Sequence, residues 1–192
     1  MLIGLTGKYC AGKNIVATVL EKSGFLILDL DKLGHIAIES KKTEIYTRFG
    51  ENIKKPDGTI DRHKLGKKVF GRKPEMTVLE NIIHPEVNSL TNEWITRHQK
   101  ENCVLNAALL HKSDVFERLD CIILVKAPFF TRLLRAKKRD KLSFFDIIKR
   151  FWIQKYFYAK YSAENADIYK VRNPGIGISK LVIQINSIQQ KL

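Results

Sequence analysis

No stretch of this chain stays apolar for long enough to span a bilayer, because charged residues interrupt every candidate. The first residues run directly into a strand pattern, so no signal peptide is expected. Cysteine is scarce: Cys10, Cys103 and Cys121 make an odd number, and their spacing is not that of a metal site. Free thiols in a reducing cytosol are the simplest reading, and a cytoplasmic location follows as an expectation. Internal repeats, low-complexity segments and the aromatic signature of an RNA-binding module are all missing. Acidic residues are outnumbered, 20 Asp and Glu against 34 Lys and Arg, for a net charge of +14. That excess suits nucleic acid, a polyanionic small substrate or a merely lysine-rich composition, and charge alone does not choose among them. The chain's 192 residues, 44% hydrophobic, are enough for one domain with insertions and a sizeable core.

The first strong signal is near the start. Residues 1–6 form a short apolar run of strand length, and residues 15–22 read as a helix. Between them lies Gly7-Lys8-Tyr9-Cys10-Ala11-Gly12-Lys13-Asn14. A strand, a glycine-bounded loop ending in lysine, and a helix are the context that a phosphate-binding loop requires. Backbone N–H groups cradle phosphate oxygens, and the helix start adds unpaired donors and the positive end of its dipole. Lys13 can reach terminal phosphates as a mobile cation. The last position of the motif normally carries a Mg²⁺-binding hydroxyl, and here it is Asn14.

Residues 24–29 read as a second strand, ending in Asp29-Leu30-Asp31. Two carboxylates two positions apart at a strand end point to one side. They fit a base or metal organiser, and Asp31 also fits as the cap of a following helix. Residues 30–100 read as almost wholly helical: a helix over 36–50, a turn at 56–59, and a helix over 64–70. Two further helices are expected over 75–83 and 86–100, separated at His84-Pro85. Strands are expected over 103–110, 121–125 and 166–171, the second a continuous apolar run typical of a buried parallel strand. Residues 129–161 form a basic helical segment that includes Lys141, and 178–192 a closing helix. Arg132, Arg135 and Arg139 share one helix face, either as a solvated surface or as a phosphate clamp. The aromatics Phe144, Phe145, Phe151, Trp152, Tyr156, Phe157, Tyr158 and Tyr161 read as packing between the helices of this segment.

In this order the motifs resemble the dephospho-CoA kinase family across essentially the whole chain. Ile3-Gly4-Leu5-Thr6-Gly7 with Gly12-Lys13 is similar to its phosphate loop, and Asp29-Leu30-Asp31 to its Asp-x-Asp. Phe49-Gly50, the run Asp57-Gly58-Thr59-Ile60-Asp61-Arg62, and Ile83-His84-Pro85 resemble its acceptor-side elements. Leu109-Leu110, Arg135, Arg139-Asp140, Arg150, Gln154, Ala166-Asp167 and Asn173 with Gly175 complete the set.

The resemblance implies an α/β P-loop kinase fold, a five-stranded parallel sheet flanked by helices, with a helical acceptor insertion and a helical lid. It implies a nucleotide-binding core in residues 1–29, 101–128 and 162–192, an acceptor region in 30–100 and a lid in 129–161. The implied reaction is ATP-dependent phosphorylation of the ribose 3′-hydroxyl of dephospho-CoA, with Mg²⁺. ATP-binding positions would be Gly7, Lys8, Tyr9, Cys10, Ala11, Gly12, Lys13, Asn14, Ile15 and Arg139. Asp31 would be the base, with Asp31, Arg62 and His84 on the acceptor side, and Asn14 the metal position. No membrane or specific nucleic-acid partner is implied, and the oligomeric state is left open.

The chain departs from the family pattern at Lys8, where a glycine is usual and a side chain is expected to crowd the loop, and at Asn14, Ala108, Lys112 and Tyr169-Lys170. A non-catalytic nucleotide-binding protein and another small-molecule P-loop kinase stand as alternatives.

Overall fold

The computed structural model describes residues 1–140, 142–162, 167–175 and 177–192. Lys141 of the expected basic segment and Ala166 of the expected last strand lie outside the described residues. The chain folds as two compact units: Met1–Asp29 with His98–Leu192, and Leu30–Arg97.

The first unit is built on a five-stranded sheet. Strands β1 (Leu2–Gly7), β2 (Leu26–Asp29), β3 (Cys103–Asn106), β4 (Cys121–Lys126) and β5 (Asp167–Arg172) lie in the order β2-β3-β1-β4-β5. Every neighbouring pair is parallel. All carboxyl ends therefore point one way, and a site at that edge can draw on several strands. The central strands β1, β3 and β4 are buried almost throughout, which fits their largely apolar sequence. β5 is an edge strand, and Lys170 and Arg172 are exposed along it.

Helices α1 (Lys13–Lys22) and α9 (Ser179–Gln189) pack together on one face of the sheet. Val16, Leu20, Leu181 and Ile185 meet Ile3, Leu5, Ile123 and Val125 there. Each such buried side chain contributes about 1.5–3 kcal/mol relative to exposure. Helices α6 (Phe129–Asp140), α7 (Phe144–Ile153) and α8 (Ala159–Ser162) complete the unit. Ser143 caps α7, its hydroxyl accepting from the Asp146 N–H at 3.2 Å.

The aromatics of this segment do not all pack as expected. Phe151, Phe157 and Tyr161 are buried, whereas Phe144, Phe145, Trp152 and Tyr156 are exposed. A ten-residue helix has one stripe to bury, and α7 uses it on Ile147 and Phe151.

The second unit consists of α2 (Leu30–Ser40), α3 (Lys42–Phe49), α4 (Arg62–Val69) and α5 (Lys73–Arg97). Its core joins Ile45, Tyr46, Phe49, Ile53, Ile60, Leu65, Val69 and Leu79. Two expectations are corrected here. The single helix expected over 36–50 is two helices, and the first begins directly at the end of β2. Asp31 therefore lies inside the first turn of α2 rather than capping it from outside. The break expected at His84-Pro85 is absent, and Pro85 sits within α5. A proline inside a helix forfeits one backbone bond and costs about 3 kcal/mol. Side chains buried on both sides of it, Leu79 before and Thr91 and Ile95 after, keep the helix continuous.

The third strand is also shorter than expected. It ends at Asn106, and residues 107–109 lead into a 3-10 turn at Leu110–Lys112.

Candidate active site

β1 ends at Gly7, and α1 opens at Lys13, two residues earlier than its apolar pattern predicts. The loop between them turns on two left-handed residues, Cys10 at φ 60° and Gly12 at φ 95°. Glycine adopts this region freely; a residue with a Cβ does so at about 1–2 kcal/mol. Gly12 also has no room for a Cβ, which would collide with the Asn173 amide nitrogen. Lys8, the position expected to be crowded, has no left-handed backbone. Its side chain leaves the loop, with Nζ 4.4 Å from the centre of the Tyr158 ring.

The far side of the loop is braced by α6 and α7. Arg132 Nε donates to the Tyr9 carbonyl at 2.8 Å. Arg135 Nη1 donates to the Ala11 carbonyl at 3.1 Å and the Cys10 carbonyl at 3.4 Å. Its Nη2 donates to Asn173 Oδ1 at 2.9 Å, and Asn173 Nδ2 donates back to the Ala11 carbonyl at 3.1 Å. Gln154 Oε1 accepts from the Tyr9 N–H at 2.6 Å. Tyr9 and Cys10 pack on the small core of Ala136, Ile147 and Phe151. The arginine face of α6 is thus only partly a solvated surface: Arg139 is exposed, while Arg132 and Arg135 grip the loop's carbonyls. This holds the backbone that a phosphate cradle needs in one shape.

Arg139 lies one turn further along α6. Its Nε and Nη2 bond the Asp140 carboxylate at 2.6 and 3.0 Å, and its guanidinium lies 5.2 Å from the centre of the Tyr9 ring. The Tyr9 hydroxyl donates to the same carboxylate, and Arg150 stands 3.8 Å from it. The Arg139 pair holds the Asp140 carboxyl below the usual carboxylate range. Burial, then the bond to Asp140, pushes the Tyr9 phenol up to about 12. Burial likewise raises the Cys10 thiol, against the pull of Arg139, which disfavours its thiolate.

Asn14 stands in the first turn of α1. Its Oδ1 accepts from Asn106 Nδ2 at 3.2 Å, across 92 residues of chain. The Asn106 side chain is buried at the carboxyl end of β3, and its own Oδ1 has no hydrogen-bond partner among the described residues. Two amide oxygens, one orphaned, suit a hard oxygen-seeking cation. No cluster of three or more His, Cys, Asp or Glu side chains capable of holding a metal occurs among the described residues.

The acceptor candidates lie in the second unit. Asp31 is exposed on the first turn of α2, Arg62 is exposed at the start of α4, and His84 is half-buried within α5. α2 and α4 each pack on α5. The run before Arg62 is chiefly architectural. Asp57 accepts from the Thr59 N–H and hydroxyl at 2.9 and 2.6 Å, and Gly58 takes φ 78°. Ile60 is buried in the core, and its N–H donates to Glu39 at 3.2 Å. Asp61 caps α4, accepting from the His63 and Lys64 N–H groups at 3.0 and 3.1 Å.

The parts that Arg132, Gln154, Asn173 and Asn106 play in shaping the loop carry no local signal in the sequence; Gln154 and Asn173 are marked only by the family resemblance.

The family model described as dephospho-CoA kinase matches residues 1–168. A dephospho-CoA kinase of Treponema pallidum is 34% identical over 184 residues, covering 91% of this chain and 87% of the relative. One from Treponema denticola is 35% identical over 184 residues, covering 90% and 82%. Among solved structures, TT1252 of Thermus thermophilus superposes with a TM-score of 0.84 at 30% identity, covering 100% of this chain and 97% of the other. A dephospho-CoA kinase from Campylobacter jejuni shares the fold at a TM-score of 0.64 and 24% identity.

Proposed function

The chain belongs to the dephospho-CoA kinase family, a family of ATP-dependent phosphotransferases, and on that premise we propose how its own residues carry the reaction. The substrates are ATP and dephospho-CoA; the 3′-hydroxyl oxygen of the ribose bonds to the γ-phosphorus, and ADP leaves. The observation that carries this reading is the loop of residues 7–14 at the carboxyl edge of a parallel sheet, with left-handed Gly12 opening α1 at Lys13.

In this reading the N–H groups at the start of α1 hold phosphate oxygens, and the helix dipole favours their charge. Lys13 offsets the charge that builds on the transferring phosphoryl group. Arg139 exchanges its bond with Asp140 for one with the nucleotide phosphates. Asp31 accepts the proton of the attacking hydroxyl, and Arg62 and His84 serve the acceptor. Phosphoryl transfer asks little more of a protein than in-line positioning and charge compensation. Residues 30–100 serve the acceptor, and 129–161 form a lid that keeps water from the phosphates. Mg²⁺ would be held by the Asn14 amide oxygen together with phosphate oxygens and water, with Asn106 beside it. When bound, it supplies positive charge to the β- and γ-phosphates.

A cytoplasmic location belongs to the same proposal. Cys10, Cys103 and Cys121 are all unpaired, as a reducing compartment keeps them. No helix among the described residues is long and apolar enough to cross a membrane.

The test is an assay of ATP and dephospho-CoA over a Mg²⁺ titration, with Lys13→Ala as the control. The expected outcome is 3′-phosphorylated product that falls at least about 100-fold in the control. Absence of product from the wild-type chain at every metal concentration refutes the proposal.

A further inference from the structure

Three cations gather on the lid side of the phosphate loop. Lys8 Nζ lies 4.4 Å and Lys126 Nζ 4.6 Å from the centre of the same Tyr158 ring. Arg132, only 7% exposed, is the third. Its guanidinium lies 4.2 Å from the centre of the Phe151 ring, and its Nε is committed to the Tyr9 carbonyl. Its Nη2 is buried and has no hydrogen-bond partner among the described residues.

Among the described residues, nothing of opposite charge answers this cluster. Lys8, Lys126 and Arg132 make no ion pair among the described residues. Asp140, the acid nearest in sequence to Arg132, is bound by Tyr9 and Arg139, with Arg150 beside it. Burial and the charges of Arg132 and Lys126 push the Lys8 ammonium below its usual range, and burial lowers Arg132. The Tyr158 face attracts each ammonium but does not neutralise it. An unpaired buried guanidinium beside two lysines is unfavourable until an anion joins it.

We propose that Lys8, Lys126 and Arg132 form a phosphoryl-binding subsite on the lid side of the loop. Two ammonium groups and one guanidinium, close enough for their charges to act on one another, supply donors of the kind a phosphate dianion accepts, and Arg132 Nη2 is a buried donor with no partner among the described residues. The inference rests on the reading of residues 7–14 as a phosphate loop. The phosphoryl group could belong to the bound nucleotide or to a free anion such as pyrophosphate. The chemistry of the subsite is the same for both, and the two sources are separable.

The experiment is calorimetric titration of the full chain with pyrophosphate, comparing wild type, Lys126→Met and Lys8→Met, first alone and then with a non-hydrolysable ATP analogue saturating. Thermal melting verifies that each variant is folded. Each variant is expected to bind pyrophosphate about tenfold or more weakly. If the group is the nucleotide's own, the analogue blocks pyrophosphate and itself binds Lys126→Met correspondingly more weakly. If the source is a free anion, pyrophosphate still binds beside the analogue, and Lys126→Met weakens that binding. Equal affinity in wild type and both folded variants overturns the subsite, as does a wild type that binds no pyrophosphate. Failure of the kinase reading shows separately, as no product from dephospho-CoA, whatever these titrations give.

Discussion

The tightest constraint in the loop is the contact between Gly12 and Asn173, and Gly12→Ala probes it directly. At φ 95° the new residue sits in the left-handed region, at a cost of about 1–2 kcal/mol. Its methyl group occupies the place of the Asn173 amide nitrogen, so Asn173 must move. Moving it loses the bond to the Ala11 carbonyl, worth about 1 kcal/mol, and the bond from Arg135, worth about 1.5–3 kcal/mol because one partner is charged. Gly12→Ala is expected to destabilise the chain by about 3.5–6 kcal/mol, or about 7–24 °C in Tm. Asn173→Ala alone should cost about 2.5–4 kcal/mol, since Asn173 is buried and both partners are left short. The two changes should not add. With Asn173 already truncated, the methyl group of Gly12→Ala meets only the end of the flexible Arg135 side chain, Nη1 at 3.3 Å, and little beyond the backbone cost of about 1–2 kcal/mol remains. Denaturant unfolding of the two single variants and the double variant measures the coupling. A double variant whose loss equals the sum of the single losses, or a Gly12→Ala loss below about 1 kcal/mol, refutes the account of the loop.

Three further outcomes are expected. Asp31→Asn should lower kcat about 10²–10⁴-fold with little change in KM for ATP, as loss of a general base does; steady-state kinetics with both substrates varied checks this. Asp140, whose carboxyl is held below its usual range, contributes stability that is complete above the unfolded carboxylate pKa and lost as pH falls through the folded one. The stability gap between wild type and Asp140→Asn, followed by denaturant unfolding, should therefore be constant near neutrality and shrink below about pH 4. Asn14→Ser, which supplies a hydroxyl in place of the amide, should lower the Mg²⁺ concentration giving half-maximal activity; an unchanged midpoint counts against Asn14 as a metal position.

Most of the fold is legible because its signals are local. β4 reads as a buried parallel strand from its apolar run alone, and the element order follows from runs of apolar residues punctuated by Gly and Pro. Readings fail where tertiary packing outweighs a local rule. Pro85 is a sound reason to end a helix, yet α5 passes through it because its core-facing residues continue on both sides. Phe144, Phe145 and Trp152 look like core by composition, but one short helix cannot bury its whole circumference. The spacing of Arg132, Arg135 and Arg139 correctly puts them on one face. Spacing cannot say that two of them meet loop carbonyls while the third meets a carboxylate.

The departures in the phosphate loop show why a local reading of a motif overstates its flaws. Taken alone, Lys8 crowds a tight turn and Asn14 removes a metal-binding hydroxyl. In the folded chain Lys8 leaves the turn for Tyr158, and the strained backbone is one position past Tyr9, at Cys10. Asn14 meets a second amide, Asn106, contributed by another strand. Each unusual residue has a partner that lies far away in sequence and near it in space. The pairing of Asn14 with Asn106, and of Lys8 with the Tyr158 ring, gives the loop a defined shape despite both departures. This is why altered metal dependence, rather than loss of transfer, is the expected consequence of Asn14.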